Sequence, residues 1–322
     1  MPSFLYSQLF VRPKYPTTSF AGKTVIVTGS NTGLGKEAAR HFARLGASKV
    51  ILAVRNTKAG EAAKQDIEST THCASDVVEI WALDLSSFES VKAFAERATK
   101  NLSRIDVLLE NAGIAVAKYD VAEGHERTIT VNVISTFLLA LLLLPKLEAT
   151  AQKFNTQPHL TIVSSEVHGH CKFPEWKADN TFATLSSKET ANMDERYPVS
   201  KLLEVLVCRA LAPKLDGTGV ILNYLNPGLC HSELSREGPL MLEVLKFFLA
   251  RTAEVGSRIL VAAAVAGPES HGKYISNGIV LEEDLSPFVK SEDGKAASEK
   301  IWKELTAILE EIQPGVTANA LK

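Results

Sequence analysis

Nothing in this sequence gathers its cysteines into a site or a staple. Cys73, Cys171, Cys208 and Cys230 stand far apart with no C-x-x-C pair, which argues against a zinc centre or a disulfide framework and for a reducing, intracellular compartment. An excess of charge of one sign is also missing: 35 Lys+Arg face 37 Asp+Glu, a formal net charge of −2. No global field therefore draws nucleic acid or an anionic membrane. Proline-rich or glycine-rich linkers, internal repeats and low-complexity tracts are lacking, so no seam divides the chain. The most apolar run, Val131 to Leu144, contains Asn132, Ser135 and Thr136 and is closed by Pro145. It falls short of the roughly 20 apolar residues of a membrane span and reads as a buried or subunit-interface helix, so no transmembrane segment is expected. Met1 to Ser19 carries Pro2, Pro13 and Pro16 without the basic-then-apolar order of a signal peptide. It reads as an extension over 1–20, and a cytoplasmic location is expected.

What the chain does have is a sizeable apolar share, 45% of its 322 residues, and a regular alternation. From Lys23 onward short β-branched runs alternate with longer stretches of helical period, the pattern of a parallel sheet covered on both faces. Strands are expected at Thr24–Thr28, Lys49–Val54, Val77–Leu83, Ile105–Leu109, Leu160–Ser164, Val220–Leu225 and Lys273–Ile275. Helices are expected at Leu34–Leu45, Thr57–Ser69, Phe88–Lys100, Gly124–Leu147, Tyr197–Leu215, Thr252–Ala266 and Ala296–Ile312. The expected fold is α/β, one doubly wound parallel seven-stranded sheet over 21–322. Two insertions, 166–196 and 229–250, leave from the carboxyl ends of strands, where ligands sit in such folds.

The first strand runs into Thr28-Gly29-Ser30-Asn31-Thr32-Gly33-Leu34-Gly35 and then a helix. In that context Gly29 permits a tight turn, Gly33 lets backbone approach a pyrophosphate, and Gly35 lets helix pack on strand; the helix N-terminus offers free N–H groups. The second strand ends in Val54-Arg55-Asn56 rather than an acid. A guanidinium there suits a 2′-phosphate, so NADP(H) is the expected cofactor, the alternative being that Arg55 only solvates a strand end. Asp84, followed by Leu85 at the tip of the third strand, is read as an acceptor for the adenine amino group or as part of a helix N-cap.

With Asn111-Ala112-Gly113 after the fourth strand, Ser164-Ser165 ending the fifth and Tyr197-Pro198-Val199-Ser200-Lys201 opening a helix, the chain resembles the short-chain dehydrogenase/reductase family from about Lys23 to Ala266. Asn31-Thr32-Gly33-Leu34-Gly35-Lys36-Glu37 and the long insert before the tyrosine look most like its retinol-dehydrogenase-like and fungal secondary-metabolism members. The resemblance implies a Rossmann fold and a catalytic set of Asn132, Ser165, Tyr197 and Lys201. Elementary chemistry agrees for three of them. Tyr197 and Lys201, four apart on a helix, share a face, so the ammonium is expected to lower a phenol pKa that starts near ~10. The tuned phenol then exchanges a proton with the substrate oxygen, which Ser165 holds. Lys201 would also hold the nicotinamide ribose, and the Asn132 carbonyl a relay water; the latter role is implied by the resemblance alone. Asn226-Pro227-Gly228-Leu229-Cys230-His231-Ser232 resembles the family's turn beside the nicotinamide, with Ser232 for the usual Thr. Glu110 replaces a common Asn and Ser135 a common Gly, and neither is expected to touch the proton path.

The insertions carry Phe173, Trp176 and Phe182, then Pro239 to Leu242, Leu245, Phe247, Phe248 and Leu249. They suit the wall of a lipophilic ketone, aldehyde or alcohol site, or in the case of Leu242, Leu245 and Leu249 the buried stripe of a short helix. His168-Gly169-His170-Cys171 lacks a second ligand cluster, so no metal is expected and the histidines are read as lining or covering the pocket. Two other functions remain open: a C=C or imine reductase on the same fold, and a non-catalytic NADP-sensing module. The resemblance implies a homo-oligomer, a dimer or tetramer through Gly124–Leu147 and Tyr197–Leu215, unless the extension covers those faces.

Overall fold

The β-branched runs become strands with both faces buried. The computed structural model describes residues 4–231 and 249–320. In it β1 (Thr24–Thr28), β2 (Lys49–Val54), β3 (Val78–Ala82), β4 (Val107–Glu110), β5 (His159–Val163), β6 (Ile221–Asn226), β7 (Tyr274–Ser276) and β8 (Ile279–Val280) form one sheet. Its order is β8-β7-β6-β5-β4-β1-β2-β3. Side chains alternate across it. Ile26, Ile51, Leu108, Leu160, Ile162 and Leu222 point into one apolar cluster, and Val25, Val27, Val50, Leu52, Leu109 and Val163 into another.

Helices close both clusters. α2 (Gly33–Arg44), α3 (Thr57–Thr71) and α8 (Ala253–Ala263) supply Phe42, Ile67 and Leu260 to the second. α4 (Phe88–Asn101), α5 (Ser135–Phe154), α6 (Thr181–Ser186), α7 (Met193–Leu211) and α9 (Glu292–Ile312) supply Phe94, Leu139, Phe182, Leu206 and Leu305 to the first. The order runs outward from β1 in both directions, so the turns after β1 and β4, adjacent strands whose connections leave to opposite sides, face one crevice.

Several boundaries differ from the sequence reading. An eighth strand is present: β8 pairs antiparallel with β7 across Asn277 (φ 55°) and Gly278 (φ 84°), a tight hairpin of only two residues. The apolar helix does not end at Leu147. It starts at Arg127, passes a π turn at Thr130–Ile134 and continues to Phe154. Residues Arg127–Phe154 are long and apolar enough to cross a membrane, yet 89% of their most apolar window is buried inside the protein's own core. α7 begins four residues before Tyr197, at Met193, and carries Pro198 within it. At the other end of the chain α1 (Phe4–Phe10) docks away from α5 and α7, against the turn after β6.

Candidate active site

The glycine turn after β1 and the Asn-Ala-Gly turn after β4 are clasped together. The Thr28 hydroxyl accepts from the N–H groups of Asn111 and Ala112, each at 2.9 Å. Asn111 Nδ2 donates back to the Thr28 carbonyl at 2.8 Å and the Gly29 carbonyl at 3.3 Å. Gly29 has φ +65°, and a Cβ on it would stand 2.9 Å from the Ala112 Cα. A Cβ on Gly35 would meet Asn111 Nδ2 at 2.5 Å, so that glycine lets α2 pack on the clasp itself. Asn31, Thr32, Gly33 and Leu34 are half-buried around the turn. Thr32 precedes α2 without a side-chain hydrogen bond to it. The first-turn N–H groups of α2 are thus left for an anion.

Arg55 is exposed just past β2, and its neighbour Asn56 caps α3 through the Ala59 N–H. Asp84 spends one carboxylate oxygen on its own turn, accepting from the N–H of Ser86 at 2.9 Å and its hydroxyl at 2.6 Å. The cap of α4 is Ser87, not Asp84. Leu85 is buried beneath the turn.

At the carboxyl end of β5 the two serines part. Ser164 is buried and its hydroxyl donates to the Lys201 carbonyl at 2.9 Å. Ser165 is half-buried, its hydroxyl accepts from the Val167 N–H at 3.3 Å, and a hydrogen bond from it draws the Tyr197 phenol down. The buried Lys201 ammonium lies 5.7 Å from the Tyr197 ring centroid and donates at 2.8 Å both to the Val163 carbonyl and to Glu204 Oε1. Of its three N–H bonds one is left facing the site. Asn132 sits in the π turn. Its amide donates to the Ile114 carbonyl and the Ser200 hydroxyl, each at 2.9 Å, and accepts from the Ile114 N–H at 2.8 Å. Between these groups lies Gly113, where a Cβ would come 3.3 Å from Asn132 Oδ1 and 3.6 Å from Lys201 Nζ. The Asn132 side chain is therefore fully engaged in bracing the β4 turn against α7.

The electrostatics keep the expected downward pull of Lys201 on the phenol and set stronger influences against it. Burial pushes the Tyr197 phenol up; Lys201 pulls it down, Glu204 pushes it up again, Ser165 pulls it down, and the net direction is upward. Burial pulls Lys201 down, but the Glu204 charge and the Tyr197 oxygen more than offset it, so the ammonium is held protonated. Glu204 is the residue that the Tyr-x-x-x-Lys spacing alone did not bring forward, although it stands three positions after Lys201 on the same helix. Glu110 does not touch Ser165, Tyr197 or Lys201, but it is buried at the end of β4, takes a hydrogen bond from Thr28 at 3.3 Å and feels the Glu204 charge.

Beyond β6, Gly228 has φ +77° and its N–H donates to Asn226 Oδ1 at 2.8 Å. Gln8 of α1 grips this turn: it accepts from the Leu229 N–H at 3.2 Å and donates to the carbonyls of Leu229 at 2.8 Å and Leu249 at 3.0 Å. Arg251 donates to the carbonyls of Pro227, Ser7 and Val11 and to Asn277. Ser232 and the apolar set from Pro239 to Phe248 lie outside the described residues. Phe173 and Phe182 are buried in the main core, and Trp176 packs on Phe288 at a 6.1 Å ring separation. These aromatics thus serve packing first. His168 covers no pocket: it is buried, with Nδ1 2.8 Å from the Ser165 carbonyl and Nε2 accepting from the Ser286 N–H at 3.1 Å. Among the described residues no three His, Cys, Asp or Glu side chains group as metal ligands.

Residues 23–168 match the short chain dehydrogenase family profile. Over 323 residues the chain is 52% identical to the short chain dehydrogenase/reductase dmxR8 of Cryptosporiopsis sp. (strain 8999), covering 98% of this chain and 99% of that one. Among solved structures, a protein from Mycobacterium Paratuberculosis is 29% identical with a TM-score of 0.66, covering 90% of this chain and 96% of its own. The 3-ketoacyl-(acyl-carrier-protein) reductase from Brucella melitensis, complexed with NADH, is 23% identical with a TM-score of 0.60, covering 80% and 97%.

Proposed function

The chain belongs to the short-chain dehydrogenase/reductase family of oxidoreductases, and we propose that it is an NADP(H)-dependent member acting on a lipophilic ketone, aldehyde or alcohol. The observation that carries this reading is the convergence of Ser165, Tyr197 and Lys201 beside Asn132 and Gly113, at the mouth of the clasped glycine turns. The bound nicotinamide would supply or take the hydride. Its pyrophosphate would rest on the first turn of α2, over Gly29, Asn31, Thr32, Gly33, Leu34 and Gly35. Arg55 would face the 2′-phosphate, and the spare oxygen of Asp84 with Leu85 would face the adenine. Asn111, Ala112, Gly113, Pro227, Gly228, Leu229 and Ser232 would line the nicotinamide half.

Within that frame the free N–H of Lys201 holds a ribose hydroxyl, and Ser165 holds the substrate oxygen where charge develops. Tyr197 gives or takes the proton on that same oxygen. Asn132 keeps the β4 turn and α7 in register, so that Lys201 stays where its charge reaches the phenol. The apolar composition of 229–250 supports a lipophilic substrate, the scattered free cysteines fit an intracellular, cytoplasmic location, and the likeness of the glycine turn and the long insert to fungal secondary-metabolism members supports a role there.

The test is a panel of lipophilic carbonyl compounds with NADPH consumption followed by absorbance, and NADH in parallel. Tyr197→Phe is expected to lose about 10²–10⁴-fold in turnover, the usual worth of a placed general acid, while still binding NADPH. Wild-type turnover in Tyr197→Phe would sink the reading. Reduction of a C=C or imine would show instead as deuterium from labelled NADPH on an atom other than the carbinol carbon. A sensing module would bind NADPH tightly and consume none.

A further inference from the structure

Two carboxylates lie behind the reaction centre, and neither has a role in the chemistry described so far. Glu204, on α7, and Glu110, at the end of β4, are each 2% exposed. One oxygen of each is committed: Glu204 Oε1 accepts from Lys201 at 2.8 Å, and Glu110 Oε2 accepts from Thr28 at 3.3 Å. The other two, Glu204 Oε2 and Glu110 Oε1, are buried without a hydrogen-bond donor among the described residues. A bare carboxylate oxygen in such a place is costly, so two neighbouring acids hold one negative charge more cheaply than two.

The charge sits where the ammonium is. Burial drives Glu110 up, Thr28 draws it down and the Glu204 charge drives it up again, to about 8. Burial drives Glu204 up while the charge and hydrogen bond of Lys201 draw it down, leaving it at about 7. Glu110 is thus the neutral partner near neutrality and Glu204 the counter-ion. Tyr197, Lys201 and Cys208 face Glu204 from its own helix, Ser164 from the end of β5 and Glu110 from β4. From α9 and the π turn, which also pack on α7, no charged group among the described residues acts on it.

We propose that Glu204, backed by Glu110, is a positioning residue that anchors the Lys201 ammonium and cancels part of its field at Tyr197, keeping the phenol protonated and the enzyme set for reduction. The proposal rests on the catalytic reading of Tyr197 and Lys201. In the favoured direction Tyr197 gives its phenolic proton to the carbonyl oxygen while the carbonyl carbon accepts a hydride from the reduced cofactor. Alcohol and oxidised cofactor result, and the phenolate recovers its proton from water. An enzyme whose resting phenol keeps its proton well above neutral pH always has that proton to give. The Lys201 ammonium, held by Glu204 and the Val163 carbonyl, keeps one N–H for the ribose and does not swing toward the phenol.

The experiment compares pH profiles of kcat/KM for NADPH-dependent carbonyl reduction in the wild type, Glu204→Gln and Glu110→Gln, with NADPH affinity measured by fluorescence. In Glu204→Gln the ammonium acts on Tyr197 without its counter-charge. The alkaline fall in rate should then begin about one pH unit lower, a tenfold loss relative to wild type on that limb, with little change at acid pH. Glu110→Gln, which removes no contact to Lys201, should move the limb the same way by less, and it carries the test alone should Glu204→Gln not fold. Alkaline limbs coincident with wild type, with NADPH binding intact and Tyr197→Phe inactive, would overturn the role of Glu204 alone. An active Tyr197→Phe would instead bring down the catalytic reading and this inference with it.

Discussion

Arg55 shows how little a single residue needs to decide a preference. It is exposed at the end of β2, where the chain offers no carboxylate to a ribose diol. Charge-assisted hydrogen bonds are worth about 1.5–3 kcal/mol each. Arg55→Ala should therefore raise KM for NADPH by roughly 10–100-fold, since 1.4 kcal/mol is tenfold, and leave KM for NADH nearly unchanged. Equal losses with both cofactors would show that Arg55 only solvates the strand end. Tyr197 and Lys201 were legible from their spacing because four residues on a helix bring side chains onto one face. The direction of the phenol shift was not, because it depends on burial and on Glu204, neither of which the motif contains. Ser165 was chosen by the family resemblance, since strand alternation says only that one serine of the pair faces inward; Ser164 is the one bonded to the Lys201 carbonyl.

At the scale of elements, the strands lay close to where β-branched runs placed them, while helix ends moved. α5 ran on past Leu147 to Phe154 and α7 started at Met193, each with a proline inside it, because packing against the sheet outweighs one lost hydrogen bond. α1 was the least legible element. Its anchoring depends on Gln8 meeting Leu229 and Leu249, more than two hundred residues away. Leu229 and Leu249 flank 230–248, so α1 acts as a strap across the base of the second insertion. Gln8→Ala removes three part-buried hydrogen bonds, each worth about 0.5–1.5 kcal/mol. Urea unfolding should then show a loss of about 1.5–4.5 kcal/mol, with a weaker hold on NADPH because the Pro227–Leu229 turn loosens. Unchanged stability would mean that water replaces Gln8 at no cost.

At the scale of the molecule, the C-terminal segment changes what the surface can do. α9 lies across α7, with Ser298 donating to the Leu206 carbonyl at 2.7 Å, and Asn319 donates to the Leu141 carbonyl of α5 at 3.0 Å. The exposed large hydrophobic residues, Leu5, Leu9, Phe10, Ile279 and Val280 among them, fall on α1, β8, the short hairpin strand Val121–Ala122 and loops, and none is on α5, α7 or α9 among the described residues. Pairing of copies through α5 and α7 would need α9 to leave. Light scattering coupled to gel filtration should therefore return the mass of one chain at micromolar concentration. A dimer mass would move the interface to α1 or β8, and charge substitutions at Leu5 and Ile279 would locate it.

By itself the sequence determined the alternating fold, the two glycine-bearing turns and the Tyr-x-x-x-Lys pair. All of these follow from local rules: strand and helix period, the backbone freedom of glycine, and spacing along one element. Only the tertiary structure decided that Glu110 and Glu204 stand behind Lys201, that Phe173 and Phe182 belong to the core, and that α1 straps the second insertion. Those outcomes depend on which distant residues burial brings together. Burial is also what turns a neighbouring carboxylate into a strong influence on a phenol, since charges out of water are weakly screened.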